Sequence, residues 1–253
     1  MKKLSRVERK MRRRRFFFRF LLLVSLIIVL FALALNSSFF IIDNIKVLGN
    51  NKILKDNVIS ASGINTGENI FKISVKAGEN SLKKLPYVKE AKIKRKLPKG
   101  IVIDIVERKE IIQIKEISSF ILLDVEGYIL DIVDTQTEKL PLLLGLNREN
   151  KIIGDNIFST SKSKSKIEFV SEGHAIGLLP KFKEIDMVDY NNVKIILIDG
   201  ISVAFGTLDN VKYKVNLLNE ILKNIEKDKI PCKMILMDRG DNPIVVLEEE
   251  GEG

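Results

Sequence analysis

The sequence predicts an α+β protein in which a single N-terminal transmembrane helix precedes two small domains. Three observations lead to this fold class. A strongly basic stretch runs directly into the longest apolar stretch of the chain. A strand–helix–helix–strand–strand pattern follows, and after it short strands surround one long amphipathic helix. We therefore divide the chain into a basic tail (residues 1–19), a transmembrane helix (20–38) and two domains (39–110 and 111–253).

The net charge of the chain resides in its first 19 residues. These hold ten Lys or Arg and one acid, Glu8, so they sum to +9, which equals the formal net charge of the whole chain. Basic residues beside an apolar segment stay on the cytoplasmic side of a membrane. The tail is therefore predicted to be cytoplasmic, and both domains extracytoplasmic. The residues expected to set this orientation are Arg12, Arg13, Arg14, Arg15 and Arg19.

The apolar segment reaches the length of a membrane span only under one condition. Residues 20–35 carry no charge. As a helix they extend about 24 Å, whereas a bilayer core is about 30 Å thick. Starting the segment at residue 16 gives 20 residues, provided that Arg19 extends its guanidinium back to the lipid headgroups. We predict a spanning helix on this basis.

The N-terminal segment has two other interpretations. Ala32-Leu33-Ala34 fits the small-x-small pattern of a signal-peptide cleavage site. The lack of a polar break before that point, and the long basic stretch ahead of it, favour an uncleaved anchor instead. The basic residues 12–15 are also compatible with nucleic-acid binding. A basic tail beside a membrane needs only anionic lipid to explain it, so we expect membrane lipid and no nucleic acid as its partner.

Residues 39–110 predict a βααββ domain. Alternating apolar positions at Ile45 and Val47 indicate a strand that a Gly-Asn-Asn turn closes. The first helix stops at Gly63, and Ser74 is a suitable N-cap for the second. The predicted elements are a strand over residues 42–47, helices over 52–61 and 74–85, and a hairpin of strands over 88–96 and 101–108.

Residues 111–253 predict a mixed β domain with one long packed helix and an acidic C-terminal tail. The helix has Thr207 as its expected N-cap, and apolar residues recur along it at spacings of four, three, four and three. This stripe consists of Val211, Val215, Leu218, Leu222 and Ile225. A second helix over 167–179 is weakened by Gly173 and Gly177. The predicted strands cover 111–117, 119–124, 127–133, 184–189, 193–198, 202–205, 232–237 and 244–247.

The final predicted strand is the candidate functional site. Its residues are Ile244, Val245, Val246 and Leu247, and Pro243 precedes them. Proline removes a backbone donor and suits an edge strand. An apolar edge strand accepts another strand unless it is protected, and the acidic residues after it discourage nonspecific pairing. The strand therefore either docks one chosen partner by strand addition or only closes its domain.

Residues that would carry catalysis or metal binding are not combined in this sequence. The one histidine, His174, has no cysteine or second histidine at metal-ligand spacing. The one cysteine, Cys232, precedes an apolar strand and is expected to be a small buried side chain rather than a nucleophile. Nucleotide-binding and serine-hydrolase motifs are also missing. We therefore predict no enzyme activity, no cofactor and no small-molecule substrate.

Several short strings resemble, in their order along the chain, the POTRA domain and the following hairpin of the bacterial cell-division family FtsQ/DivIB. They are Ile45-Lys46-Val47-Leu48-Gly49-Asn50, Gly67-Glu68-Asn69-Ile70-Phe71, Leu85-Pro86-Tyr87-Val88, Arg95-Lys96-Leu97-Pro98, Val106-Glu107-Arg108 and Leu122-Leu123-Asp124-Val125-Glu126-Gly127. The resemblance covers about residues 40–250. Glu110 stands where the family often has proline. Arg95, Glu107 and Arg108 are expected to form a surface ion cluster.

The resemblance implies a noncatalytic bitopic scaffold of the bacterial divisome at the division septum. Its POTRA domain would contact other divisome proteins and help recruitment. Its β domain would bind the bitopic partners FtsB/DivIC and FtsL, and so regulate septal peptidoglycan synthesis. By the same resemblance, Ile244, Val245, Val246 and Leu247 would form the docking edge.

Two alternatives from other functional classes remain open. One is a POTRA-containing component of protein translocation that chaperones passing chains, although such proteins usually carry repeated POTRA units or a membrane β-barrel. The other is a membrane-tethered enzyme or cell-wall sensor, which would require a concave site with converging polar groups.

Overall fold

The computed structural model describes residues 6–148, 150–158, 164–240 and 242–248. They form two compact units. The first comprises the described residues up to Lys83 together with Glu90–Val106, and the second comprises Lys84–Lys89 together with the described residues from Glu107 onward. Each unit has its own sheet and helices. The combination confirms an α+β fold.

The N-terminal helix α1 (Arg6–Leu35) corrects one sequence prediction. Across the described part of the chain, no helix combines the length and the apolarity needed to cross a bilayer, so the predicted transmembrane helix over residues 20–38 is wrong. The physical reason is that Arg19 lies within α1, and only 16 uncharged residues follow it before the helix ends at Leu35. These reach about 24 Å. The single-pass topology inferred from that helix therefore has no support here.

The predicted βααββ arrangement is present, and all of it except Val88, Lys89 and Glu107 lies in the first unit. In chain order the elements are β1 (Asn44–Leu48), α2 (Lys55–Ser62), α3 (Val75–Leu82), β2 (Val88–Lys96) and β3 (Gly100–Glu107). The sheet order is β1-β3-β2, and β1 runs parallel to β3. Ser74 caps α3 as predicted, since its Oγ accepts the Ala77 N–H at 3.3 Å.

One face of this small sheet is buried and the other is open. Residues of the three strands alternate in exposure, and the buried set is mostly isoleucine, which the period-two pattern predicts. Helix α3 lies close to the sheet at Gly78, where an added methyl group would meet Ile93 Cδ1 at 2.8 Å. The buried strand residues are Ile45, Val88, Ala91, Ile93, Ile101, Ile103 and Ile105.

The second unit is built on a nine-stranded mixed sheet. Its order is β12-β11-β10-β9-β8-β7-β4-β5-β6, and helices α4 (Lys164–Ala175) and α5 (Val211–Asp228) share one hydrophobic core with it. The strands are β4 (Ile112–Lys115), β5 (Phe120–Leu123), β6 (Ile129–Val133), β7 (Leu142–Leu144), β8 (Phe182–Asp186), β9 (Val193–Leu197), β10 (Ser202–Gly206), β11 (Cys232–Leu236) and β12 (Ile244–Leu247).

Helix α5 buries the predicted apolar stripe, but it begins later than expected. All five stripe residues are buried. The N-cap position is Asn210, in a left-handed conformation with φ of 43°, rather than Thr207. Thr207 instead hydrogen-bonds Asp209, so its hydroxyl is engaged one turn ahead of the helix. Helix α4 forms despite Gly173, because that glycine is buried close to the side chain of Leu179.

Candidate partner-binding site

The predicted docking residues lie on the terminal strand of the large sheet. Helix α5 leads into β11, which pairs in parallel with β10 on one side and antiparallel with β12 on the other. Gly240, with φ of 88°, lies in the connection from β11 to β12, and Pro243 then precedes β12. Since β12 ends the strand order, its outer side has no paired strand among the described residues.

The backbone groups that β12 turns outward can be assigned from its pairing. Val246 lies opposite Met234, and the register irregularity falls within β11, so β12 itself is regular. Just beyond the strand, Glu248 donates its N–H to the Pro231 carbonyl at 2.9 Å, toward β11. Backbone groups alternate sides along a strand. Val246 and Ile244 therefore face β11, whereas the N–H and C=O groups of Val245 and Leu247 face outward.

The side chains of β12 leave an apolar surface exposed beside this edge. The exposed fractions of Ile244 and Leu247 are 47% and 53%, and that of Val246 is 36%. Val245 instead packs against the hydrophobic core of the unit. One inward side chain anchors the strand, while three others remain available for contact.

A cavity of about 520 Å³ lies beside the start of β12, and Thr207, Lys214, Met237 and Pro243 are among its lining residues. The Lys214 ammonium donates to the Thr207 carbonyl at 2.9 Å and to Asp209 Oδ1 at 2.6 Å. The hydrogen bond from Lys214 to Asp209 makes the largest contribution to lowering the pKa of the Asp209 carboxyl, and the hydrogen bond from the Thr207 hydroxyl adds to it. Thr207, Asp209 and Lys214 thus form one hydrogen-bonded group at the wall of this cavity.

A second cluster centres on Arg108, a residue predicted to lie at the surface. The Arg108 side chain is only 10% exposed and pairs with Asp124 at 2.5 Å and Glu126 at 2.7 Å. Its guanidinium carbon lies 3.7 Å from the centroid of the Tyr128 ring. Arg95 is separate from this cluster, since its guanidinium donates to the carbonyls of Ile70 and Ile73 in the segment between α2 and α3. The expected surface cluster of Arg95, Glu107 and Arg108 is therefore wrong.

The electrostatics of the Arg108 cluster favour its charged form. Burial alone would lower the pKa of Arg108, but hydrogen bonds to Glu126 and Asp124 outweigh it and raise that pKa. Hydrogen bonds from Lys89 and Arg108 lower the pKa of Glu126. Sequence reasoning missed this cluster because its members are separated along the chain and only folding brings them together.

Glu110 stands where the family that the sequence resembles often has proline, and its side chain has a hydrogen-bond partner. The Tyr87 hydroxyl donates to Glu110 Oε1 at 2.6 Å. Burial, followed by this hydrogen bond, raises the pKa of Tyr87 well above its usual value. The carboxylate thus takes part in a hydrogen bond that a proline at position 110 could not accept through its side chain.

Two family models match the chain one after the other. The model of the POTRA domain, FtsQ-type, matches residues 40–108, and the model of the cell division protein FtsQ/DivIB C-terminal region matches residues 112–237. The chain belongs to the FtsQ/DivIB family of cell division proteins. The family predicted from the short sequence strings is therefore confirmed.

Relatives within the FtsQ/DivIB family align over most of the chain. The cell division protein DivIB of Clostridium botulinum (strain Hall) is 28% identical over 229 residues, which covers 87% of both proteins. DivIB of Clostridium acetobutylicum is 29% identical over 227 residues, covering 87% of this chain and 88% of the relative. The solved major extracytoplasmic domain of the trans isomer of DivIB from Geobacillus stearothermophilus aligns with a TM-score of 0.33 and 17% identity, covering 48% of this chain and 97% of that one.

The residues considered for catalysis lie apart in this FtsQ/DivIB chain. His174 is exposed near the end of α4. Cys232 is 7% exposed at the start of β11, and burial raises its thiol pKa. Within the described ranges, no group of three His, Cys, Asp or Glu side chains is placed to hold a metal ion.

The arginines predicted to orient the chain lie on α1. Arg14, Arg15 and Arg19 are exposed, and the guanidinium of Arg14 lies 5.7 Å from the ring centroid of Phe18. The side chains of Arg12 and Arg13 are outside the described part of the structure. The orienting role of these five residues stays a prediction.

Proposed function

We propose that this FtsQ/DivIB-family chain is a noncatalytic scaffold of the divisome that binds the FtsB/DivIC–FtsL pair through β12. A strand of the partner would add to the outer side of β12, and the POTRA unit would help to bring the chain to the division septum. Through the bound pair, the scaffold would regulate septal peptidoglycan synthesis. The observation that supports this proposal is the position of β12 at the end of the sheet, with the backbone groups of Val245 and Leu247 turned outward.

Strand addition uses backbone hydrogen bonds for affinity and side chains for selectivity. The outward N–H and C=O groups of Val245 and Leu247 supply two donors and two acceptors. Ile244, Val246 and Leu247 add apolar side chains that lose water on docking. Pro243 has a carbonyl acceptor but no N–H, so the outward backbone donors of this edge start within β12.

Proline substitutions separate the docking function of β12 from its folding. Val245→Pro removes an outward N–H, which an edge strand tolerates, and reduces the packing of residue 245 against the core. We therefore expect a folded chain with a slightly lower unfolding midpoint and loss of binding. Val246→Pro removes an N–H directed at β11 and should lower the unfolding midpoint as well. Binding is measured by co-purification of the FtsB/DivIC–FtsL pair with the full chain, and folding by circular dichroism.

Val245→Thr is the matched control, because it keeps the backbone N–H and nearly the shape of valine. We expect it to retain the pair, although a buried hydroxyl costs some stability. The proposal is wrong if folded Val245→Pro captures the pair as well as the parent chain does. Site-specific crosslinking from Ile244 and Leu247 in cells then tests directly which protein lies against this edge.

A further inference from the structure

The open face of the first unit's sheet is strongly basic. Residues that share this face on β1 and β3 are fixed by their register, in which Lys46 lies opposite Val102 and Leu48 opposite Asp104. On β2 the even-numbered residues 92, 94 and 96 face away from the buried Ala91 and Ile93. The face therefore carries Lys46, Lys92, Lys94 and Lys96, together with two acids, Asp104 on the central strand and Glu90 near the start of β2.

The lysines of this face have no charged partners of their own. All four are exposed, and within the described residues none forms an ion pair. Arg95, by contrast, belongs to the buried side of the sheet, where its guanidinium donates to the Ile70 and Ile73 carbonyls. The four ammonium groups are therefore available to an incoming negatively charged molecule.

The arrangement of the lysines matches the width of a helix. An added methyl group at Gly100 would lie 3.2 Å from Lys96 Cβ, so these residues are opposite each other, and Lys94 then flanks Val102 across from Lys46. Lysines on β1 and β2 are two strand spacings apart, or about 10 Å. An α-helix with its side chains is about 10–12 Å wide. A helix lying along β3 would thus have lysines on both sides.

The apolar side chains at the centre of this face favour a protein partner over a polyanion that carries only negative charge. Leu48 is 39% exposed and Val106 50% exposed, and Val102 on the same face is half-buried. A polyphosphate or an anionic polysaccharide has no apolar surface to cover these side chains, and Asp104 repels it. A second copy of this chain would bring lysine against lysine. The lysines along the outer strand β2 also discourage strand addition there.

We propose that this lysine face docks an acidic amphipathic helix of a partner protein. The apolar side of the helix would cover Val102 and Val106, and carboxylates on its two flanks would pair with Lys46 and Lys94. This inference rests on the proposed recruiting role of the POTRA unit and assigns that role to one surface. It does not depend on β12.

The first test uses a synthetic peptide as probe, a 15-residue helix with leucines along one side and glutamates on both flanks. A scrambled peptide of the same composition keeps the charge but lacks the amphipathic pattern. Fluorescence anisotropy with the full chain should show at least about tenfold tighter binding of the patterned peptide. The double variant Lys46→Glu/Lys94→Glu should lose that binding, because exposed charges are reversed without disturbing the core.

Lys55→Glu/Lys72→Glu is the matched control, since both lysines are exposed, lie outside the sheet in the same unit, and give the same change in net charge. It should bind the patterned peptide within about twofold of the parent chain. Equal affinity for both peptides, equal loss in both double variants, or equally tight binding of inorganic polyphosphate would overturn the proposal. Circular dichroism confirms that each variant is folded.

The second test separates this inference from the proposed role of β12. In dividing cells, a fluorescent full chain with Lys46→Glu/Lys94→Glu should lose most of its septal signal yet still co-purify with the FtsB/DivIC–FtsL pair. Val245→Pro should show the opposite result: it should lose the FtsB/DivIC–FtsL pair and still bind the patterned peptide. A septal signal unchanged by the lysine reversal, or lost equally in the Lys55→Glu/Lys72→Glu control, contradicts the assignment whatever happens at β12.

Discussion

Arg108 contacts three side chains at once, and its position determines the geometry of the segment around it. Its guanidinium joins the carboxylates of Asp124 and Glu126 and lies over the ring of Tyr128. Asp124 is also held by the backbone, because its Oδ1 accepts the N–H groups of Glu126 and Tyr128. The planar, permanently charged guanidinium of arginine can make all of these contacts, whereas the ammonium group of a lysine could make only some of them.

Replacing Arg108 should therefore be costly. Arg108→Met leaves the carboxylate of Asp124, 4% exposed, without its cationic partner. Removing one member of a buried ion pair typically costs about 3 kcal/mol or more of unfolding free energy. Arg239→Met, at an exposed position, should change that free energy by less than about 0.5 kcal/mol. Urea unfolding measures both, and equal midpoints for the two variants would show that the cluster contributes nothing.

At the scale of single elements, the end of β1 depends on Gly49. This residue has φ of 80°, and an added Cβ would lie 2.0 Å from the Ile105 carbonyl oxygen on β3. Gly63, which ends α2, has φ of 67° but no atom within 4 Å of such a Cβ. The two glycines thus share a left-handed backbone and differ in the space around them.

This pair of glycines allows strain and steric conflict to be measured separately. Gly63→Ala should cost about 1 kcal/mol, since only the left-handed conformation is penalised. Gly49→Ala should cost about 3 kcal/mol, because β3 must also move to accommodate the methyl group. Chemical denaturation of both variants tests the difference. Similar losses in the two would mean that β3 yields easily and that the close approach is unimportant.

Most elements could be predicted from local pattern, and the exceptions have physical causes. The βααββ order followed from alternating isoleucines, a serine cap and turn glycines, and α5 followed from its apolar stripe. The strand β7 was missed because its three residues are too few to display alternation. The start of α5 was misplaced because the Thr207 hydroxyl pairs with Asp209 instead of capping the helix.

At the scale of the whole molecule, the family could be predicted from the sequence, whereas the prediction of a transmembrane helix was wrong. That prediction depended on counting across Arg19 to lengthen an uncharged run of 16 residues. The terminal strand β12 could be predicted from Pro243 and the apolar run after it, but the direction of its backbone groups required the register with β11. The lysine face required the register of β1 with β3, which links residues far apart in sequence.

Removing β12 tests whether it is peripheral to the large sheet. Only Val245 of this strand packs against the core, so deleting residues 243–253 should lower the unfolding midpoint by less than about 10 °C. The same deletion should abolish capture of the FtsB/DivIC–FtsL pair. Deleting only residues 249–253 is the control and should preserve both properties. Loss of cooperative unfolding in the larger deletion would instead make β12 an integral part of the fold.

The shortness of β12 limits how strongly any strand can be held there. Four residues turn only two N–H and two C=O groups outward. At about 1 kcal/mol each, these hydrogen bonds alone correspond to a dissociation constant of about 1 mM. A lasting complex therefore needs a second point of attachment that raises the effective concentration at the first. In the proposed complex, two separate contacts would let the partner stay bound for a long time and still dissociate when either contact is released.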